Sequence, residues 1–396
     1  MTRSDRPWLG RQVFQGVALG PRVTLAPKSS LLIVGPTQVG KTSSLVVPAL
    51  LRWNGALVVT SVKSDVVATT RRWRSSLGEV QVLEPGRESG LTWNPLEGVT
   101  SLRHALRVAR DLTIGSRGQG DTDFWNALAA KLVASLFVMA SERSQSIFDV
   151  AAVVENRTFE PWLAHAPRSD ASELLRTFLD HERKTLDGVV TTAETMLLPW
   201  RFRQPLADVR SVVAGANTLY LCSPRAEQQH YESLFRGALR MVLEEQHRLV
   251  DEGRQQRLLL MLDEAATVAP LDELDQLAAT VSGLDVTLVT VVQDFAQLVA
   301  RWGPRASTIV NNHTTRLVMG GLADPTVGKY LPELVVAKDD TRTLSLRQRP
   351  PGIALVVSGR RPVFVVRVRP WWRSRRLRRR GDRERLTTMP PWRQAT

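Results

Sequence analysis

Short runs of apolar, mostly β-branched residues recur along the chain, each bounded by glycine or polar residues. Most of these runs lack alternating polar positions, which is typical of strands buried on both faces of a parallel sheet. Helical patterns lie between many of them, such as the apolar spacing of three and four from Tyr231 to Val242. This alternation predicts an α/β core. The predicted strands are Leu31–Val34, Ala56–Thr60, Val80–Leu83, Thr218–Leu221, Leu258–Leu262, Val286–Val292 and Thr315–Met319.

The alternation stops in the middle of the chain and changes again near its end. Strand patterns cease after Leu83 and resume at Thr218, and residues 101–205 are helical in pattern throughout. We therefore expect an all-helical domain inserted into the α/β core. Its apolar stretch Leu128–Ala140 is interrupted by Lys131, which predicts a buried helix rather than a membrane span. Near the C-terminus, residues 352–357 and 363–368 predict a hairpin.

One junction between a strand and a helix has the sequence form of a phosphate-binding loop. The segment Gly35-Pro-Thr-Gln-Val-Gly-Lys-Thr42 fits GxxxxGK[ST]. Its glycines let backbone N–H groups surround an anion, and the following helix adds the positive end of its dipole. We expect Lys41 to reach the outer phosphates and Thr42 to offer its hydroxyl to Mg²⁺. The predicted nucleotide-binding residues are Gly35, Pro36, Thr37, Gln38, Val39, Gly40, Lys41, Thr42 and Ser43.

Two later strands end in polar residues suited to nucleotide chemistry. Leu258–Leu262 leads into Asp263 and Glu264. In P-loop enzymes the first such carboxylate holds Mg²⁺, directly or through water, and a second can activate the attacking water. Val286–Val292 leads into Gln293, which we expect to orient water beside the γ-phosphate. Because polar residues also end many strands without binding anything, both predictions depend on the phosphate loop upstream.

The composition indicates which partners the chain favours and whether disulfides or structural metals are expected. The 396 residues carry 53 basic and 39 acidic side chains, a net charge of +14 that favours nucleic acid or an anionic membrane surface as partner. Cys222 is the only cysteine, so no internal disulfide forms, and its apolar surroundings predict burial. The six histidines lack metal-ligand spacing, so no structural metal is predicted.

Together these motifs resemble the type IV secretion coupling proteins, which are TraG/TraD-like conjugative DNA-transfer ATPases within the wider FtsK/HerA group of hexameric motors. The resemblance runs from about Ser29 to Arg369. It rests on the combination of nucleotide motifs with an Asn-Pro-Leu element and a helical insertion. The matching elements are 35–42 followed by Pro48, Val58–Lys63, Trp93–Leu96, the pair Phe124-Trp125, Leu258–Ala265 and Gln293.

Three departures from the family's pattern matter. Gln38-Val39 replaces a common Gly-Ser inside the loop, at positions that GxxxxGKT leaves free. Ser61 and Ser64-Asp65 stand where the family often has Asp and Gly-Glu. The family usually carries N-terminal transmembrane helices, and this sequence shows none. We therefore expect either a soluble variant or an anchor supplied by a partner subunit.

The resemblance implies a RecA-like P-loop NTPase fold, with a mostly parallel sheet, helices on both faces and an inserted all-α domain. Its cofactors would be ATP and Mg²⁺. The expected organisation is an N-terminal segment (1–28), an ATPase domain (29–100 and 206–370), a helical domain (101–205) and an arginine-rich tail (371–396). We expect a cytoplasmic homo-hexamer that completes each site with an arginine from its neighbour, for which Arg316 and Arg301 are candidates.

The implied activity is ATP-driven translocation of DNA to a conjugative secretion channel, with a relaxase and channel proteins as partners. One alternative is a nucleotide-gated adaptor that recruits substrates with little turnover. Another is an FtsK/HerA-like DNA pump outside conjugation. For the tail, three interpretations stand: DNA binding, peripheral binding to anionic lipid with Trp371 and Trp372 at the interface, or a solvated disordered end.

Overall fold

The computed structural model describes residues 6–13, 21–61, 64–87, 90–113, 121–164, 166–223, 228–254, 256–268, 271–331, 348–350, 352–359 and 362–382. Two features of the sequence analysis fall partly outside these residues, namely Lys63 of the second-strand element and residues 383–396 of the tail. In this part of the chain the strands are β1 (Trp8–Gln12), β2 (Arg22–Thr24), β3 (Ser30–Val34), β4 (Ala56–Ser61), β5 (Val80–Leu83), β6 (Thr92–Trp93), β7 (Leu206–Ala207), β8 (Thr218–Cys222), β9 (Leu258–Leu262), β10 (Val286–Val292), β11 (Thr315–Met319), β12 (Ile353–Ser358) and β13 (Phe364–Arg367).

An 11-stranded sheet forms the core, in the order β2-β1-β13-β12-β11-β3-β10-β9-β4-β8-β5. Its centre is parallel, because β11, β3, β10, β9, β4 and β8 pair in the same direction. The pairs β11–β12, β12–β13, β13–β1 and β1–β2 are antiparallel. Every residue of β3, β4, β8, β9 and β10 is buried, as continuous apolar runs predict. All seven predicted strands and the C-terminal hairpin are confirmed.

Helices cover both faces of this sheet, so the predicted fold class is confirmed. The helices of the described residues are α1 (Val47–Arg52), α2 (Ser64–Ser75), α3 (Leu102–Asp111), α4 (Asp121–Glu142), α5 (Ile147–Asn156), α6 (Glu160–Ala164), α7 (Asp170–Leu179), α8 (Arg183–Leu197), α9 (Gln228–Asp251), α10 (Leu274–Thr280), α11 (Phe295–Trp302), α12 (Ala306–Asn312), α13 (Val327–Tyr330) and α14 (Arg375–Arg380).

The helix after the phosphate loop begins irregularly. Thr42–Val46 is a π-helical turn, and α1 follows it with Pro48 in its first turn. Proline is tolerated in a first turn, where its missing N–H has no helical partner to lose. The sequence position of Pro48, inside the helix after the loop, predicts a kink there. The structure shows a π turn directly before α1, with Pro48 in the first turn of α1.

The chain divides into two compact units. One comprises residues 1–81, 210–224 and 244–396, and the other residues 82–209 and 225–243. In the second unit the described residues between 101 and 205 form only helices, and β6 and β7 add a two-stranded sheet. Trp93 shows why this unit extends beyond 101–205: its indole donates to Leu234 O at 3.0 Å, and its own carbonyl accepts from Trp200 Nε1 at 2.7 Å.

The longest helix of the second unit is α4. By length and composition alone α4 is apolar enough to cross a membrane, but 61% of its apolar window is buried. Helices α3, α7 and α8 of the same unit pack against it. Leu136 and Phe137 are fully buried in this packing. The helix is therefore the core helix that the sequence predicts.

The first residues of the C-terminal tail are folded. Trp371–Arg373 forms a 3₁₀ turn and α14 follows directly. Trp371 is 2% and Leu377 is 1% exposed, and both pack against α1. The interpretation of the tail as a solvated disordered end is therefore wrong for residues 371–382, because these two apolar side chains give the segment a hydrophobic anchor.

A buried histidine in the sheet unit makes stability depend on pH. His313 is 0% exposed, with Nδ1 at 2.7 Å from Ile309 O and Nε2 at 2.9 Å from Thr290 Oγ1. Burial, and next the charge of Arg316, lower the pKa of His313 to about 4. The unfolded chain therefore takes up this proton first, at its ordinary pKa of about 6.5.

We expect the wild type to lose about 3 kcal/mol more free energy of unfolding than His313→Asn as the pH drops from 6.5 to 4, because protonation of His313 favours the unfolded state over that window. Urea denaturation of the wild type and His313→Asn at several pH values measures this difference. His181→Gln, at an exposed histidine, serves as the control and should keep the wild-type profile. Equal pH profiles for wild type and His313→Asn would contradict the assignment.

Candidate nucleotide site

The strand order brings the three predicted motifs to one edge of the sheet. Strand β10 lies between β3 and β9, and all three run parallel. Val292 pairs with Val34, and Thr290 pairs with Leu262, so the three strands end at the same edge. The phosphate loop, the acidic pair and Gln293 follow these strand ends directly. Ligands of open α/β sheets bind at this edge.

The phosphate loop adopts a backbone that its glycines allow. Gly40 has φ +89°, and Gly35 has so little room that a Cβ there would lie 2.7 Å from Met319 Cβ. Gln38, one of the departures from the family's loop, also has a positive φ of 65°. The loop therefore keeps its tight turn although Gln38 and Val39 replace the common Gly-Ser.

Lys41 folds back into the loop. Its Nζ donates to Pro36 O at 2.9 Å and also to Gly35 O. The side chain is 7% exposed. Burial lowers the pKa of Lys41, while the nearby Glu264, Asp263 and Asp294 act in the opposite direction. A buried ammonium held by its own loop is suited to an anion that enters the loop and replaces those carbonyl contacts.

Thr42 and Asp263 meet where a metal site is predicted. Thr42 Oγ1 donates to Asp263 Oδ2 at 3.3 Å. Asp263 is 5% exposed, and burial first, then the neighbouring Glu264, raise its pKa to about 7. A hydroxyl and a carboxylate are oxygen ligands of the kind Mg²⁺ prefers. Burial disfavours the charged form of Asp263, and a divalent cation beside it would favour that form. The two residues therefore fit Mg²⁺.

Glu264 and Gln293 are in direct contact. Gln293 Nε2 donates to Glu264 Oε2 at 3.0 Å. Glu264 has φ 56°, a left-handed conformation that few non-glycine residues adopt and that is often found at functional sites. The two predicted catalytic side chains, from different strands, therefore form one hydrogen-bonded pair beside the phosphate loop.

Two supporting residues were not predicted from the sequence. Thr60, near the end of β4, donates from its hydroxyl to Asp263 O at 2.8 Å. Gln297, in α11, accepts from Gln293 N at 2.9 Å. Both hold the backbone of a predicted residue in place. Thr60 lies at the end of a predicted strand, as Gln293 does, and this position could have identified it as a site residue. The sequence has no comparable signal for Gln297.

The two candidate arginines lie elsewhere. Arg316 pairs with Leu32 of β3, three residues before Gly35 and so roughly 10 Å back along the strand. Arg301 lies in the last turn of α11. Neither joins the contacts around Lys41, Asp263 and Glu264 in the described part of the chain, and an action of either in a neighbouring subunit stays a prediction.

Comparisons with known proteins identify the family of this chain. Residues 14–338 match the family described as "Type IV secretory system Conjugative DNA transfer". The conjugal transfer protein TraG of Escherichia coli is 24% identical over 316 residues, which cover 68% of this chain and 49% of TraG. VirD4 of Agrobacterium fabrum is 20% identical over 349 residues, covering 81% of this chain and 52% of VirD4. The chain thus spans about half the length of these relatives.

A solved structure shares the fold. The plasmid coupling protein TrwB, in complex with ADP and Mg²⁺, superposes with a TM-score of 0.68 at 18% identity, covering 93% of this chain and 90% of the TrwB chain. The family match extends over most of the sequence, including the phosphate loop, the helical unit, the acidic pair and Gln293. The chain belongs to the family of type IV secretory conjugative DNA-transfer proteins.

Proposed function

We propose that this chain is an ATP-hydrolysing motor that moves DNA toward a conjugative type IV secretion channel. The observation that carries the proposal is the meeting of Thr42 with Asp263, and of Glu264 with Gln293, beside the phosphate loop. A protein that only bound nucleotide would need the loop and its lysine. A carboxylate paired with a glutamine next to the metal-binding residues supports hydrolysis as well.

Each residue of the site has a distinct role in this proposal. The loop N–H groups and Lys41 hold the β- and γ-phosphates of ATP. Thr42 and Asp263 would hold Mg²⁺, and a bound ion would supply positive charge beside those phosphates. Glu264 accepts a proton from the attacking water, and Gln293 orients that water through its amide. Thr60 and Gln297 keep Asp263 and Gln293 in position.

The assembly we propose is a ring of identical subunits, a homo-hexamer, with sites at subunit interfaces. An arginine of the neighbouring subunit, Arg316 or Arg301, would then stabilise the charge that develops on the transferred phosphoryl group. Relaxase and secretion-channel proteins would be its partners in the cytoplasm at the inner face of the membrane. Family membership supports the conjugative pathway over an FtsK/HerA-like role outside conjugation.

The rival function is a nucleotide-gated adaptor that recruits substrates and hardly turns over. The motor and the adaptor differ in how DNA affects the rate of ATP hydrolysis, because a motor couples hydrolysis to movement along bound DNA. We expect duplex or single-stranded DNA to raise the steady-state ATPase rate at least about threefold. If duplex DNA is the better activator, the protein should also displace a triplex-forming strand from it. Nucleotide binding without turnover under any DNA condition would contradict the motor and favour the adaptor.

A further inference from the structure

The C-terminal segment 371–382 is seated on the helix that follows the phosphate loop. Trp371 and Leu377 pack against Val47 and Leu51 in one hydrophobic cluster. Arg380 Nη1 donates to Leu51 O at 2.7 Å, and the Arg380 guanidinium lies 4.0 Å from the centre of the Trp73 ring. The segment is therefore held in one place by an apolar anchor and by a fixed arginine.

The opposite side of this segment is strongly basic. Six of its twelve residues are arginine and one, Asp382, is acidic. Four of these arginines are exposed on α14, and none forms an ion pair with a carboxylate among the described residues; they are Arg375, Arg376, Arg378 and Arg379. A concentration of exposed guanidinium groups without counter-charges is the electrostatic footprint of a polyanion site.

The positive charge continues from α14 onto the body of the protein. Burial, and then the charges of Arg376, Arg22 and Arg380, lower the pKa of Arg52 to about 10. Residues from β2, α1 and the C-terminal segment thus bring their guanidinium groups near one another. We call Arg22, Arg52 and the four exposed arginines of α14 the arginine surface. The acidic residue of segment 371–382 is Asp382, whose backbone N–H donates to Thr69 O of α2 at 3.1 Å.

Buried polar atoms beside the arginine surface are also hydrogen-bond donors that lack acceptors. Among the described residues, four such nitrogens have no hydrogen-bond partner: Nε1 of Trp8, Nε1 of Trp73, Nε1 of Trp372 and Nε of Arg52. Trp73 and Trp372 pack on the same cluster as Trp371, and the Arg52 guanidinium lies 5.0 Å from the Trp8 ring centre. Because these four nitrogens are buried, the contacts to a ligand would come from the exposed guanidinium groups of the arginine surface, which are donors without acceptor capacity.

The orientation of the tryptophans decides between two candidate partners, an anionic membrane and nucleic acid. A membrane-binding segment places its tryptophans outward, at the level of the lipid headgroups. Here Trp371 is 2% exposed and points into the protein, and Trp372 is half-buried against the same cluster. The exposed large hydrophobic residues of the described chain lie outside segment 371–382. The exposed residues of the segment are all arginine, which favours a phosphate backbone.

We propose that the arginine surface binds the phosphodiester backbone of nucleic acid. The contacts would be to phosphates only, so binding would be independent of base sequence and strongly dependent on salt. Because the surface includes Arg52 at the end of the phosphate-loop helix, nucleic acid would be held against the element that carries the ATP site. The inference rests on the proposed function for its partner and adds where on the chain that partner is held.

The test compares two charge-matched variants of the full chain. One replaces Arg375, Arg376, Arg378 and Arg379 with glutamine. The control replaces four exposed arginines of the helical unit, Arg103, Arg110, Arg168 and Arg183, with glutamine. Fluorescence anisotropy with labelled duplex and single-stranded oligonucleotides gives the Kd over a series of salt concentrations. Thermal midpoints, expected within a few degrees of the wild type, show that each variant is folded.

We expect the α14 variant to bind DNA at least about tenfold more weakly near 0.1 M salt, and the control less than about threefold. On duplex DNA, the slope of log K against log salt should become shallower by about 0.9 for each phosphate that the variant no longer neutralises. Unchanged affinity and slope, or equal losses of affinity in both variants, would overturn the arginine surface while leaving the motor intact. Wild-type protein that binds no DNA would overturn the proposed function itself.

Sedimentation with vesicles of phosphatidylserine and phosphatidylcholine separates the membrane from nucleic acid. We expect the wild type and the α14 variant to bind such vesicles equally weakly. If the α14 variant lost vesicle binding but kept its affinity for DNA, the arginine surface would be a membrane site and the proposal would fail.

Discussion

Replacing Glu264 with glutamine is expected to lower ATP turnover by about 10³-fold, because an amide cannot accept the proton that the attacking water gives up. The change keeps the shape of the side chain, and the glutamine carbonyl can still accept from Gln293 Nε2, the contact seen at 3.0 Å. Lys41 and the loop are untouched. The affinity for ATP should therefore change less than about threefold.

Steady-state ATP hydrolysis gives the turnover, and titration with a fluorescent ATP analogue gives the affinity. Glu79→Gln is the matched control, since Glu79 is exposed just before β5, and its rate should equal that of the wild type. If Glu264→Gln hydrolysed ATP within about threefold of the wild-type rate, the assignment of Glu264 as the base would be wrong.

The second large effect concerns stability. We expect Arg74→Met to lower the free energy of unfolding by about 3–5 kcal/mol, because Arg74 is fully buried and joins α2 to two other segments, 53–55 and 216–218. Its guanidinium donates to Trp53 O at 2.5 Å, Gly55 O at 2.8 Å and Ala216 O at 2.9 Å, and to the Thr218 hydroxyl at 2.7 Å. Methionine fills a similar volume but leaves these acceptors buried without donors.

The same helix supplies a control for Arg74. Arg72 is exposed on α2, so Arg72→Met should change the free energy of unfolding by less than about 0.5 kcal/mol. Urea denaturation followed by circular dichroism compares the two variants. A difference of less than about 1 kcal/mol between them would mean that the buried guanidinium contributes little to the fold.

Much of the nucleotide site follows from local sequence, because each of its parts ends a buried strand. Asp263 and Gln293 come directly after continuous apolar runs, and such runs identify strands of a parallel sheet. Parallel neighbours then place those ends at one edge, which is where the structure has them. The supporting contact of Gln297 escaped prediction because it depends on how α11 is oriented after β10.

The ends of the chain were harder to predict. Strands β1 and β2 extend the sheet through β13, but they mix polar and apolar residues and show neither strand nor helix periodicity. The docking of Trp371 and Leu377 on α1 joins residues more than 300 positions apart in the sequence. An arginine-rich composition suggests a solvated tail, and only the tertiary packing of these two side chains shows otherwise.

The irregular helix after the phosphate loop is a third feature that the sequence did not predict. Proline within a helical pattern predicts a kink or a break. In the structure the irregularity comes before proline: the π turn Thr42–Val46 precedes α1, and Pro48 lies in the first turn of α1. Single π turns are frequent at functional sites, and their position depends on tertiary packing that composition does not encode.

The proposed function depends on ATP hydrolysis at the site built by Lys41, Asp263 and Glu264 in an assembled ring. Its most direct test is the steady-state ATPase rate per subunit, measured with Mg²⁺ over a range of protein concentrations for the wild type and Lys41→Ala. We expect a rate per subunit that rises with protein concentration as subunits assemble and falls to background in the variant. A wild-type rate no higher than that of Lys41→Ala at every concentration would contradict it.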